Sequence, residues 1–201
     1  MTNLIDINPS LIEYAHRYLQ RFMTITIDEL KMLLSYCEVR QVEKRTILVK
    51  EGEVDNYLNM VVKGLIMKYV RVKKSDMILQ LATEGHVIHS EISFLTRTPS
   101  MVFVETLEPT IMVSLTYDKM EEALDKFPQG ERLGRLILTG MYVKKEESRY
   151  YRLLKSPRER FLDYLNAHPH MLQRVPQKYL ASYLNIKPET FSRMKHLVAK
   201  Q

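Results

Sequence analysis

Residues 175–201 read VPQKYLASYLNIKPETFSRMKHLVAKQ, and the reading of the fold turns on them. Tyr179, Leu180, Tyr183 and Leu184 recur at helical spacing, with small Ala181 where a second helix has to come close. Asn185 follows, a residue that tolerates the left-handed conformation at a helix end, and Ile186 fills the gap between helices. Pro188 suits the first position of the next helix because its φ is already fixed. Phe191, Met194, Leu197 and Val198 then form an inward stripe, leaving Glu189, Ser192, Arg193, Lys195 and His196 outward. Two short helices around a three-residue break are the pattern of a helix-turn-helix, whose second helix enters the major groove of DNA. A helical hairpin that only packs fits the spacing equally well. Charge separates the two.

The 201-residue chain carries 30 basic and 24 acidic residues. Residues 1–143 hold 17 Lys and Arg against 19 Asp and Glu, whereas residues 144–201 hold 13 against 5. A basic segment behind a slightly acidic body implies a polyanionic partner served by one region, with salt-dependent affinity. The absence of any apolar run of about 18 residues argues against a membrane span. The start, MTNLIDINPSLIEYAHRYLQRF, lacks the charged opening and continuous apolar stretch of a secretion signal. Cys37 is alone, which excludes an internal disulfide and a cysteine-only metal cluster. The cytoplasm is the expected compartment. No Ser-His-Asp, paired-carboxylate or phosphate-loop constellation is readable, and only 6 residues are Gly, so neither an enzyme nor a cofactor is expected.

Residues 9–36 carry helical clusters, with a second helix from Ile27 to Tyr36 after a turn at Thr24–Thr26. Beyond Cys37 the rhythm becomes period two, the mark of half-buried strands. Candidates are Val39, Thr46–Val49, Leu58–Val62, Leu65–Val70, Met77–Leu81, Met101–Thr106 and Ile111–Leu115, divided by Gly, Pro and charged breaks. Short strands so spaced suggest an antiparallel barrel or roll. A helix over Tyr117–Phe127 ends at Pro128, and a long one runs from about Gly130 to Leu154. Its seam of Leu133, Leu136, Ile137, Gly140, Met141 and Val143 suits a parallel dimer contact, with packing onto the barrel as the alternative; Gly140 would admit another helix closely. Ser156-Pro157-Arg158-Glu159 carries the elements of a capping box and opens a new helix with core residues Phe161, Leu162 and Leu165. His168-Pro169-His170 ends it.

In order and spacing, these segments resemble the cyclic-AMP receptor protein/FNR (CRP/FNR) family of bacterial transcription regulators over nearly the whole length. EGEVDNYLNMVVKGLIMKY, from Glu51, looks like that family's "E-G-x … Y-x-x-x-x-G" strand pair; ATEGHVIHSEISFL, residues 82–95, resembles its "G-D-x-x-G-E" segment; LASYLNIKPETFSRM resembles its recognition motif. The resemblance implies an α+β chain. A double-stranded β-helix (β-roll) sensor of the cyclic-nucleotide-binding type would occupy 1–128, a dimerisation helix 129–155, and a helix-turn-helix DNA-binding domain 156–201. It also implies a homodimer, double-stranded DNA and RNA polymerase as partners, and a pseudo-palindromic site with half-sites about 10 bp apart. Carried over by position, Glu189 and Arg193 contact bases: Arg193 donates to guanine O6 and N7, and Glu189 accepts from a cytosine amine. Lys187, Thr190 and Gln177 fall on backbone-contact positions, Thr190 being equally suited to capping the helix start. Ser192, Lys195 and His196 complete the outward set. Pro188 stands where the cyclic-AMP receptor has a base-reading Arg, so a different operator is expected.

Two further departures bear on function. Cyclic-nucleotide binders of the family use Gly-Glu and, about ten residues on, an Arg for the phosphate. Here Ser90 and Glu91 hold the first positions and Ser100 and Met101 stand where the Arg should fall, a degenerate pocket without its guanidinium fork. Arg97 comes three or four residues early. Cyclic-AMP binding is therefore not expected, and the effector stays unidentified. A single cysteine cannot hold the oxygen-sensing branch's iron–sulfur cluster, and His86 and His89 read as surface or barrel-rim residues rather than haem or metal ligands. The sequence stops eight residues beyond Arg193, leaving no room for the family's β-hairpin wing; Lys195, His196 and Lys200 are then expected to share its backbone contacts. The rival reading is a small-ligand-binding signalling module whose C-terminal helices bind a protein.

Overall fold

The computed structural model describes residues 9–73 and 75–198, and at its centre eight strands pair antiparallel into two sheets. They are β1 (Glu38–Val42), β2 (Ile47–Val49), β3 (Tyr57–Lys63), β4 (Ile66–Val72), β5 (Ser75–Ala82), β6 (Val87–Ile88), β7 (Phe103–Thr106) and β8 (Thr110–Thr116). One sheet runs β1-β8-β3-β6 and the other β2-β7-β4-β5, which leaves β5 at an edge. Val49, Val61, Ile66, Ala82, Ile88, Val104 and Met112 fill the space between them. Gly64 makes the tight turn from β3 to β4 at φ 111°, where a Cβ would lie 2.7 Å from the Pro109 carbonyl oxygen, so only glycine fits.

Helices cover both outer faces. α1 (Pro9–Leu19), α2 (Ile27–Leu34), the end of α4 (Tyr117–Lys126) and the start of α5 (Gly130–Leu154) pack on the β3–β8 side around Leu30, Met60, Val62, Val113, Phe127 and Leu133; α3 (Glu91–Thr96) sits between β6 and β7. The remaining helices, α6 (Pro157–Ala167), α7 (Met171–Arg174), α8 (Gln177–Tyr183) and α9 (Pro188–Val198), pack on β4 and β5. β3 and β4 are not half-buried as expected, whereas β7 alternates: in β3, Met60, Val61 and Val62 are successive buried residues, because each face of the strand meets apolar partners.

The seam expected on α5 divides. Leu133 is buried and Ile137 half-buried against the chain's own N-terminal helices, and the space beside Gly140 is taken by the Phe22 ring, 2.6 Å from where a Cβ would sit. Leu138, Tyr142 and Val143 stay exposed at 50%, 66% and 48%. The capping boxes form at Thr26–Glu29 and Ser156–Glu159.

The C-terminal helices are fastened to the sandwich by apolar and polar contacts. Leu65, Met67, Tyr69, Ile78, Leu81 and Leu107 share one buried cluster with Phe161, Leu180, Leu184 and Ile186. Arg174 reaches from α7 into the sandwich loops. Its guanidinium donates to Glu108 at 2.7 and 3.0 Å, to Glu84 at 3.0 Å twice, and to the Gly64 carbonyl at 2.9 Å. Burial pushes the Glu84 carboxyl upward, but bonds from Arg174 and Gly64 outweigh it and leave the group below its ordinary 4.5. Ser182 on α8 does for β5 what a neighbouring strand would: its hydroxyl oxygen accepts from the Ile78 N–H at 2.9 Å and its proton is directed at the Asp76 carbonyl, 3.2 Å from oxygen to oxygen.

Arg174→Met keeps the aliphatic stem and leaves two carboxylates facing each other, and should cost about 2–3 kcal/mol in urea unfolding at neutral pH. Because the lowered Glu84 group stabilises the fold above its unfolded value, that contribution is lost as pH falls through the folded value. The gap between wild type and variant should accordingly narrow at about pH 3.5; an undiminished gap would show that the clamp works through packing alone.

Candidate functional site

The helix pair α8–α9 is held from behind by an aromatic contact. Phe161 and Phe191 meet edge to face at 5.0 Å, and Leu180, Ala181, Ile186 and Met194 close the space around them. Asn185 takes the left-handed conformation, φ 52°, that turns the chain from α8 into α9. The Phe191 N–H donates to the Lys187 carbonyl at 2.9 Å, starting the helix at Pro188. With Phe191 and Met194 inward, Glu189, Ser192, Arg193 and Lys195 are exposed on the opposite side, and Glu189 and Arg193, four apart, share a face. Gln177 and Lys187 are exposed beside them, and Thr190 is half-buried. The side chains of His196, Leu197 and Val198, and all of Lys200, lie outside the described residues.

One residue that organises this surface was not legible in the sequence. Arg160 on α6 is 7% exposed and has carbonyl oxygens for partners: Leu184 and Asn185 at the end of α8 at 2.9 and 3.0 Å, and Arg152 and Lys155 at the end of α5 at 3.2 and 2.6 Å. A cation between two helix C-termini is stabilised by both dipoles. It also fixes the turn before α9 to the end of the long helix. A side chain bonded to main-chain carbonyls leaves no pairing pattern to read.

In the sandwich, Ser90, Glu91 and Ser100 come together and Met101 does not; it is 64% exposed at the surface. The Ser90 and Ser100 hydroxyls are 3.0 Å apart, and the Ser90 N–H donates to buried Asp55 at 2.7 Å. Glu91 opens α3, and Lys68 takes its carboxylate. Lys68 projects inward from β4 with 7% of its side chain exposed, donating to both Glu91 oxygens, one at 2.7 Å, and to the His89 carbonyl at 3.1 Å. Burial pushes the Glu91 carboxyl up, and the Lys68 charge and hydrogen bonds bring it below its ordinary value. Arg97, left-handed at φ 57°, donates to the Asp55 carbonyl at 2.7 Å and lies 4.6 Å from the Tyr117 ring centroid.

His86 lies exposed on the β5–β6 turn, as expected of a rim residue, but His89 does not. It is 3% exposed, edge-on to Phe94 at 5.4 Å, because it follows the inward-facing end of β6. Its Nδ1 has no hydrogen-bond partner among the described residues. Burial pushes its pKa down to about 4. Among the described residues no three His, Cys, Asp or Glu side chains gather as metal ligands, and no described helix is long and apolar enough to cross a membrane.

A histidine kept neutral by burial stabilises fully above its unfolded pKa of about 6.5 and progressively less as pH falls toward 4. His89→Leu should therefore be neutral or stabilising at pH 7, where it removes an unpartnered polar atom. It should gain about 3 kcal/mol over wild type near pH 4 in chemical unfolding. Parallel acid profiles for the two proteins would rule out His89 as the source.

Residues 39–127 match the family described as the cyclic nucleotide-binding domain. No curated protein matches the chain by sequence. Among solved structures, the chain is similar to the catabolite activator protein of Thermus thermophilus, with 18% identity over 91% of this chain and 87% of that one, at a TM-score of 0.58. It is also similar to the c-di-GMP responsive global regulator CLP of Xanthomonas campestris, with 15% identity, 87% and 93% coverage and a TM-score of 0.63. FixK2 of Bradyrhizobium japonicum matches with 19% identity, 82% and 85% coverage and a TM-score of 0.65. Residues 39–127 thus match the cyclic nucleotide-binding domain, in a chain with the fold of these three proteins.

Proposed function

We propose that the protein is a DNA-binding transcription regulator of the CRP/FNR type, acting as a homodimer and indifferent to cyclic AMP. The observation that carries this reading is the exposed row Glu189, Ser192, Arg193 and Lys195 on a helix anchored through Phe191 and Met194, in the basic part of the chain. Residues 1–128 serve as sensor, 129–155 as dimerisation helix and 156–201 as reader. Exposed Leu138, Tyr142 and Val143 on α5 support a second copy as its partner. Each reader then takes one half-site, Arg193 reading guanine and Glu189 cytosine, while Gln177, Lys187 and Thr190 face the backbone. RNA polymerase is the protein such a regulator meets at a promoter, in the cytoplasm.

Insensitivity to cyclic AMP follows from who holds whom in the sensor. Glu91, the ribose position by resemblance, is engaged by Lys68, and Ser90 and Ser100 supply hydroxyls in place of a guanidinium. The nearby Arg97 is tied to the Asp55 carbonyl. A phosphate entering here would find no fork to meet it.

Selection from random duplexes should enrich a pseudo-palindrome with half-sites about 10 bp apart. Arg193→Ala should cost about 1–3 kcal/mol at one base position per half-site and spare the others. A uniform loss would assign Arg193 to phosphates. Absence of any enriched palindrome, together with a protein partner indifferent to Arg193→Ala, would favour the signalling module instead. Cyclic AMP should leave both melting midpoint and DNA affinity unchanged, and a saturable shift in either would overturn the insensitivity.

A further inference from the structure

The hairpin joining β4 to β5 belongs to the sandwich, yet its turn lies against the reader. Ser182 is bonded twice to the free edge of β5, at Ile78 N and Asp76 O, so α8 runs along the strand just behind the turn. Between them opens a cleft of about 790 Å³ whose walls include Ser75 and Asp76 from the hairpin, Lys178 from α8, and Lys187 and Thr190 from the approach to α9. The cleft thus adjoins the end of α9 where the outward row begins.

Its uncompensated charge is basic. The turn sequence Arg71-Val72-Lys73-Lys74-Ser75-Asp76 carries three basic residues and one acid, and that acid is already engaged: the Arg71 Nε donates to the Asp76 carboxylate at 3.2 Å. Lys73 is exposed, and so are Lys178 and Lys187; none of the three pairs with a carboxylate among the described residues. Lys178 lies over the Tyr179 ring, 4.7 Å from its centroid, which directs its ammonium along the cleft wall. Thr190 adds a hydroxyl, while the Ser75 hydroxyl is already given to the Val72 carbonyl at 3.1 Å.

We propose that the sensor hairpin is part of the DNA-binding surface, with Lys73 and Lys178 contacting the sugar–phosphate backbone that flanks each half-site. The inference rests on the reading of α9 as a recognition helix. An α-helix fills the major groove, so the phosphates bordering that groove pass beside the helix's leading end. There the cleft offers the ammonium groups of Lys178 and Lys187, its one lining carboxylate, Asp76, being held by Arg71, and this is the chemistry of positioning contacts rather than base readout. The Arg174 clamp and the Ser182 bonds hold hairpin and reader in one pose before DNA arrives, so this surface is preformed. Its consequence is linkage: DNA touching both modules stabilises the docked arrangement over any other.

The test uses the full chain and its selected duplex, with affinity followed from about 50 to 200 mM salt. Lys73→Asn removes the charge with a residue suited to the left-handed φ of 56° at that position, so the turn is kept; Lys178→Ala is an exposed change on α8. Each should weaken binding equally on all sequences and, with two copies per duplex, lower the slope of log K against log salt by about 2, the pair by about 4, with the selected sequence unchanged. If Lys73→Asn binds with the wild-type affinity and slope, the hairpin is not in the surface, and the proposal falls while the regulator reading stands. A loss confined to Lys178→Ala overturns the proposal as well, since the reader alone then meets the backbone. A wild type that selects no duplex at all overturns both readings together.

Discussion

The guanidinium of Arg174 makes five contacts through its three nitrogens, two to Glu108, two to Glu84 and one to the Gly64 carbonyl, three of them shared by the two N–H groups of Nη2. Two carboxylates alone would repel across the loops that end β3, β5 and β7, and a cation alone would cost its desolvation. Together they make a fixed fork that points one way only. Everything downstream inherits that direction. The α7 helix is placed by it, α8 is laid along β5, and the exposed face of α9 acquires a set relation to the sandwich. The apolar cluster beneath supplies adhesion, but adhesion is non-directional.

A second cation, more deeply buried than Arg174, works inside the sandwich. Lys68 projects into the sandwich interior, where an ammonium without acceptors would be untenable. Three acceptors surround it, two from Glu91 and one from the His89 carbonyl, so the first turn of α3 is ordered by the chain's own side chain. An effector that recruited Glu91 would have to compete with that ammonium. In Arg160 the chain uses a third buried cation, bonded to carbonyls at two helix ends. Each joins elements distant in the sequence, and each binds its partners by geometry.

The sequence made local chemistry visible. The strand breaks, the capping box at Ser156–Glu159, the bounds of α5 and the left-handed Asn185 follow from residues a few positions apart, and those readings agree with the structure. The exposed row was legible for the same reason, since Phe191 and Met194 are buried and Glu189 and Arg193 exposed on one short helix. What escaped was long-range. Arg174 meets partners 66, 90 and 110 residues away, and no pattern along the chain joins them. The two-sided burial of β3 depends on helices from both ends of the chain packing on opposite sheets, so period two alone misjudged it. His89 was misplaced because a two-residue strand is too short to show which way its neighbours face. The α5 seam was read as one surface although half of it is spent on the chain's own helices.

The Ser182 hydroxyl has a meaning beyond docking. β5 ends its sheet, and an uncovered edge is a template for another chain to add a strand. Ser182 occupies one N–H and one C=O of that edge, and α8 shields the stretch around them. The C-terminal helices thus act as a cap against self-association as well as a functional attachment. A β-sandwich separated from them would bare an open strand edge together with Met67, Tyr69 and Ile78, and would be a sticky fragment rather than a free-standing sensor.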